Sequence, residues 1–203
     1  KKMARLLAPH IKDGQIIYVN PGSTFGALEF AKIFRDMGVR GENPLVETST
    51  LTYGARRTGP NQVRILNETK DVLEAVFPAK DTDEIRQVLK DVYPSNIVAK
   101  NVMETSLNNL NPVIHPAPTL LSASSIENTG QFNLYRDGIT RSVVKVNEAI
   151  DNERLALLRA FGFREWSLKD QTTAHGYSPG GETLYETLHS EKFESVTERM
   201  HLN

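Results

Sequence analysis

The pattern of the chain changes once, near Lys100, and that change restricts the folds open to it. Before this point short β-branched runs alternate with apolar residues at helical spacing; after it the strand signals vanish and helical spacing continues. Such a sequence predicts an α/β chain with a sheet domain over residues 1–100 and an all-α domain over residues 101–203. With 203 residues there is length for one large or two smaller domains and a real core.

Within the first part, Gln15–Val19 reads as a buried strand that stops at Asn20-Pro21-Gly22. Phe25, Leu28, Phe30, Ala31, Ile33 and Phe34 then follow at helical spacing as far as Gly38, predicting a helix of about four turns. Strand, glycine turn and helix make a βα unit. The carboxyl end of such a strand borders the ligand crevice in open α/β sheets, and a start at Ser23-Thr24 would present free backbone N–H groups. Further strands are expected over 44–48, over 50–57 leading into a basic turn at Arg56 and Arg57, over 62–66 and over 72–77. Asp81-Thr82-Asp83 should cap a helix through Ile85, Val88, Leu89 and Tyr93.

The second part is expected to be built around a helix of about six turns from Gly138 to Gly162, with a wide apolar stripe. Asp151, Glu153, Arg154 and Arg159 fall mostly on its outer face and read as solvated charge. Phe132, Tyr135 and Trp166 read as packing residues, and Thr183 with Glu186 as a capping box for a short helix over 184–189. The chain opens with Lys1 in what reads as the end of a helix and finishes at Met200–Asn203 with no closing element, so a cut at both ends is expected.

Several functions are disfavoured by composition. Net charge is −1 with no basic stripe, which leaves a nucleic-acid surface no electrostatic footprint. No apolar run approaches the ~20 residues of a membrane helix, and the absence of cysteine removes thiolate chemistry and fits a reducing, cytoplasmic setting. No Gly-x-Ser-x-Gly elbow, Gly-x-Gly-x-x-Gly fingerprint or Walker loop occurs.

The stretch from Glu104 to Leu121 carries the strongest chemical signal. It holds Asn108, Asn109 and Asn111, a histidine between Pro112 and Pro116, and a third proline at 118. Proline restricts itself and the residue before it, so Asn111 and His115 are expected to be held in direction, with His115 kept from the αR region. A neutral imidazole can give and take a proton near neutral pH, as reduction of a polar C=N or C=O bond requires. Asn111 precedes it by four residues, so in a helix both side chains project from one face. The alternative is a capped helix start with a satisfied core histidine. No second histidine or carboxylate sits nearby at ligand spacing, so no metal site is expected. His10, His175, His189 and His201 read as ordinary surface residues.

An ordered series of segments then resembles the opine dehydrogenases, the NAD(P)-dependent octopine/nopaline dehydrogenase family. It comprises Val19–Gly22, Glu47–Tyr53 with Arg56, Phe77–Thr82, Val102–Pro116, Tyr135–Thr140 and Asp151–Leu155. The most specific piece is Asn111-x-x-x-His115-Pro116 with its upstream Thr105-Ser106-Leu107-x-Asn109.

The resemblance implies the C-terminal part of a Rossmann-type NAD(P)-binding domain followed by an incomplete helical domain. It also implies reductive condensation of an amino acid with a 2-oxo acid, using NAD or NADP. His115 would be the general acid/base, Asn111 and Arg56 would bind substrate, and Asn20, Pro21 and Gly22 would border the cofactor. Partners would be small molecules, neither nucleic acid nor membrane, with a homodimer as the candidate assembly. The family's glycine fingerprint and its histidine-orienting aspartate have no counterpart in this chain, which implies little turnover by the segment alone. Two alternatives remain open: a related 2-hydroxy or keto acid reductase, and a non-catalytic binding or dimerisation module.

Overall fold

A computed structural model describes residues 1–197 and the backbone of 201 and 202. The chain runs through α1 (Lys2–Leu7), β1 (Ile17–Val19), α2 (Gly26–Asp36), β2 (Leu45–Thr48), β3 (Tyr53–Gly59), β4 (Gln62–Glu68), β5 (Leu73–Phe77), α3 (Thr82–Leu89), β6 (Ile97–Val98) and α4 (Val102–Leu107). It continues through α5 (Asn111–Ile114), α6 (Pro116–Leu121), α7 (Ala123–Thr129), β7 (Phe132–Asn133), α8 (Arg141–Ala160), α9 (Leu168–Ala174), α10 (Leu184–Leu188), α11 (Glu191–Thr197) and β8 (His201–Leu202).

Compactness divides the chain into two units at points other than residue 100. One comprises residues 1–52 and 71–109, the other 53–70 and 110–203. The sheet unit holds four strands in the order β1-β2-β5-β6, with β1 parallel to β2, β5 antiparallel to β2, and β6 parallel to β5. Val46 and Val76, neighbours in that ladder, pack with Ile85 and Leu89 of α3 in its core. α4 belongs here because Thr105 and Ser106 both donate hydrogen bonds to Glu47 on β2, at 2.6 and 3.1 Å. On β5, buried Glu74 accepts from Tyr18 and Asn96, each at 2.9 Å, and meets Arg86 at 3.4 Å. A buried carboxylate needs such partners to remain folded in.

The helical unit also contains the β3–β4 hairpin, closed by a turn at Pro60-Asn61. Asn67 on β4 donates to the carbonyl of His175 at 3.1 Å, and Thr69 meets the hydroxyl of Tyr177 at 3.1 Å. His175 was expected at the surface and is instead buried: its Nδ1 lies 2.7 Å from the carbonyl of Lys70 and its ring meets Trp166 edge-on. The aliphatic core gathers Val113, Ile114, Ile139, Val144, Leu168, Leu184, Leu188 and Phe193.

Other differences from the sequence expectations have local causes. α2 is shorter than four turns, beginning only at Gly26 after Ser23 and Phe25 take left-handed φ of 54° and 59°. Arg56 and Arg57 lie within β3, because the turn forms later, at the proline. β7 and β8 pair beyond residue 100, too short to leave an alternating pattern. The side chain of His201, with Met200 and Asn203, lies outside the described residues. α8 is capped by Thr140 and spans 20 residues. Asp151 and Arg154 on it are buried rather than solvated. Arg154 binds Asp151 Oδ1 through Nε at 2.9 Å and Nη2 at 2.7 Å, while Asp151 Oδ2 accepts from Leu168 N. The pair thus ties α8 to the start of α9. The expected capping box at Thr183 and Glu186 is present in full.

Candidate active site

His115 sits at the joint between α5 and α6. Val113 and Ile114 before it are buried, and prolines occupy the first turn of each short helix, where a missing N–H costs nothing. Contrary to the expectation from Pro116, the His115 backbone is αR (φ −91°, ψ −39°), so the chain stays helical through the joint. Thr119 then donates its hydroxyl to the His115 carbonyl at 2.8 Å. Asn111 opens α5 one turn earlier at an exposed position, and its carbonyl accepts from the His115 N–H at 3.2 Å.

The imidazole Nε2 lies 2.7 Å from the hydroxyl of Tyr135. Tyr135 was read from sequence as a packing residue, and it does pack, edge-on against both His115 and Phe193. Its position depends on a tight turn. Asn133 Oδ1 accepts from the N–H groups of Tyr135 and Arg136 at 3.1 and 2.9 Å, and Asp137 accepts from Asn133 N at 2.8 Å. A side chain at Gly138 would meet the Leu134 carbonyl at 2.4 Å, so the Tyr-Arg-Asp-Gly run needs glycine there. The spacing Asn133-x-Tyr135-x-Asp137-Gly138 is the signal that could have separated Tyr135 from an ordinary core aromatic.

Burial holds the His115 pKa below its usual value, so the ring is neutral at neutral pH. Burial likewise pushes the Tyr135 hydroxyl up to about 12, against the lowering effect of the Arg56 guanidinium. Arg56 is therefore near enough to act on the same pair. A cavity of about 290 Å³ opens beside Tyr135, with Leu188, His189 and Ser195 among its walls.

The residues expected at the cofactor form a separate cluster inside the sheet unit. Asn20 donates to Thr52 Oγ1 at 2.8 Å and accepts from Thr48 Oγ1 at 3.2 Å, fixing the end of β1 to the chain after β2. Pro21 follows through a cis peptide, and Gly22 N donates to the Thr48 carbonyl at 2.9 Å. Any Cβ at Gly22 would lie 2.5 Å from Glu47 Cβ.

The sequence predicts free N–H groups at the start of α2, and two of them are instead bound within the unit. Ala27 N donates to Glu47 Oε2 at 2.8 Å and Phe25 N to Ser106 Oγ at 2.8 Å. The buried Glu47 carboxyl, whose pKa burial raises, already occupies the place where a ligand anion would sit. Among the described residues no group of three His, Cys, Asp or Glu side chains is placed to hold a metal ion.

An α/β sheet unit with a helical unit that carries a neutral imidazole, a phenol and a guanidinium has the fold of solved opine dehydrogenases. Yersinopine dehydrogenase with NADP+ bound aligns at a TM-score of 0.65, with 15% identity, over 80% of this chain and 42% of that one. Octopine dehydrogenase with NADH and L-arginine aligns at 0.60 and 15% identity, over 97% of this chain and 50% of that one. The same enzyme with NADH and pyruvate aligns at 0.62 and 15% identity, over 95% and 50%.

The pattern of the NAD/NADP octopine/nopaline dehydrogenase alpha-helical domain matches residues 98–202, and the chain belongs to that family. It is 38% identical over 188 residues to the opine dehydrogenase of Arthrobacter sp. (strain 1C), covering 92% of this chain and 51% of that protein. The chain thus spans about half the length of that curated relative.

Proposed function

We propose that this chain is the substrate-handling half of an NAD(P)-dependent opine dehydrogenase, which condenses an amino acid with a 2-oxo acid and reduces the product to a secondary amine. The observation that carries this reading is the neutral His115 imidazole held at 2.7 Å by Tyr135. Family membership and the bound NADH, L-arginine and pyruvate of the solved relatives support it.

The cofactor-facing residues fit the dinucleotide only in part. The N–H donors of Phe25 and Ala27 are bound internally and are not offered to a phosphate; Asn20, Pro21 and Gly22 would line the crevice at the carboxyl end of β1. Bound NADH or NADPH supplies the hydride.

The rest falls to side chains of this chain. A neutral His115 accepts a proton from the ammonium of the amino acid, freeing the amine to attack the oxo-acid carbonyl. The resulting imidazolium returns that proton to the hydroxyl, which leaves as water. Tyr135 keeps the ring in one orientation, and Arg56 offers a planar fork to a substrate carboxylate. Asn111, one turn from His115, is assigned to substrate positioning. Small-molecule substrates, a cytoplasmic setting and a homodimer belong to the same proposal, and light scattering of the purified protein tests the last.

The test of the reaction is NADH or NADPH oxidation by the full-length protein with an amino acid and pyruvate. It should require both, and His115→Ala should remove it by 100-fold or more, on the order of what a general acid/base contributes. Oxidation with the oxo acid alone, or undiminished turnover in the variant, would refute the reading.

A further inference from the structure

Arg56 and Arg64 are direct partners across the antiparallel β3–β4 ladder, so their side chains leave the same face of the hairpin side by side. Like charges in that relation repel, and a fold keeps them together only at a cost unless an anion lies between them. Among the described residues neither guanidinium makes an ion pair. Arg56 uses Nη1 on the carbonyl of Ala55 at 3.0 Å, but its Nε is buried with no hydrogen-bond partner. A buried charged donor left unmade is expensive, so this N–H is a second sign of a missing acceptor.

The two arginines open onto a cavity of about 320 Å³. Thr58 and Ser195 add hydroxyls to its wall, Leu66 and Val196 add aliphatic surface, and among the described residues no carboxylate lines it. Ser195 also lines the cavity beside Tyr135, which places the arginine pair next to the His115 site within the same unit. An aliphatic stem ending in a carboxylate matches this combination: the stem on Leu66 and Val196, the charge on two guanidiniums.

We propose that Arg56 and Arg64 form one subsite for a distal carboxylate, so that one of the two substrates is a dicarboxylate, either an acidic amino acid or a dicarboxylic 2-oxo acid. This rests on the dehydrogenase reading for the word substrate, but the subsite itself does not need turnover to be seen.

The experiment is calorimetric titration of the full-length protein with succinate and 2-oxoglutarate, against propionate, pyruvate and inorganic phosphate. The dicarboxylates should bind at least ten-fold more tightly than the monocarboxylates, with the advantage shrinking as salt is raised. Arg64→Gln should reduce that preference about ten-fold, on the scale of one hydrogen bond to a charged group. Arg64 is exposed on its strand, so the variant should fold, and thermal unfolding checks that it does.

Arg57→Gln serves as the control, since Arg57 is engaged with the carbonyls of Gly59 and Pro60. Equal affinity for mono- and dicarboxylates, phosphate binding tightest, or the same loss in Arg57→Gln would each overturn the proposal. Dicarboxylate binding that depends on Arg64 in a protein that oxidises no NAD(P)H would leave the subsite standing and sink the dehydrogenase reading instead.

Discussion

The hydroxyl of Tyr135 stands 2.7 Å from Nε2 of His115, and the Tyr135 ring is wedged edge-on between His115 and Phe193. Phenylalanine would keep the wedge and lose the hydrogen bond. Tyr135→Phe should therefore fold normally and lower kcat/KM by roughly 5- to 10-fold, as expected for the net worth of one hydrogen bond. A merely structural tyrosine would leave the acidic limb of the pH profile where it is; a positioning one shifts it. NMR titration of the His115 ring reads the same effect without turnover.

The depressed pKa of His115 also makes a prediction about stability. In the unfolded chain the ring titrates near its ordinary value of 6.5, and in the folded chain at a lower pH because burial disfavours the cation. Between those values the unfolded state binds more protons, so stability declines as pH falls below about 6.5 and levels off once the folded value is passed. Urea midpoints measured from pH 7.5 to pH 5 should decline less in His115→Gln than in the parent. Parallel curves would mean that the ring is solvated.

Gly22 offers a test of the turn after β1. A methyl group there would run into the side chain of Glu47, which is held at that point by Thr105, Ser106 and Ala27 N–H. Gly22→Ala should destabilise by about 1–3 kcal/mol or more, the usual scale of overpacking, seen as a lowered melting temperature. Unchanged melting would show that Glu47 can move aside.

The Asp151–Arg154 pair separates burial from solvation. Arg154→Met leaves Asp151 buried without its cation and should cost about 3–5 kcal/mol in denaturant unfolding. Replacing both residues by apolar ones of similar size should cost much less. A surface pair would give under about 1 kcal/mol in either case.

Much of the local structure could be read from the sequence, because its causes are local. The βα unit, the strands at 44–48 and 72–77, the long helix and the Thr183–Glu186 box each carry their own pattern. His115 stood out through its prolines. What escaped was set by partners far along the chain. His175 looked superficial because the residues that bury it, Asn67 and Lys70, lie more than a hundred positions away. Asp151 and Arg154 looked solvated because charge at helical spacing does not reveal that Trp166 and Leu168 fold back over them. Tyr135 reads as a packing residue in the sequence because its hydroxyl's partner lies twenty residues earlier, on another helix end.

The excursion of residues 53–70 out of the sheet unit bears on how the chain can be cut or made. The polypeptide passes from one unit to the other three times, at 52–53, 70–71 and 109–110. A single break near residue 110 would yield two pieces, neither self-sufficient: the front piece would carry a hairpin with nothing to grip, and the rear piece would lack its two longest strands. During synthesis that hairpin must wait for Gln171–Tyr177 to emerge before Asn67 and Thr69 can close, so the second unit completes itself more than a hundred residues after its first strands are made.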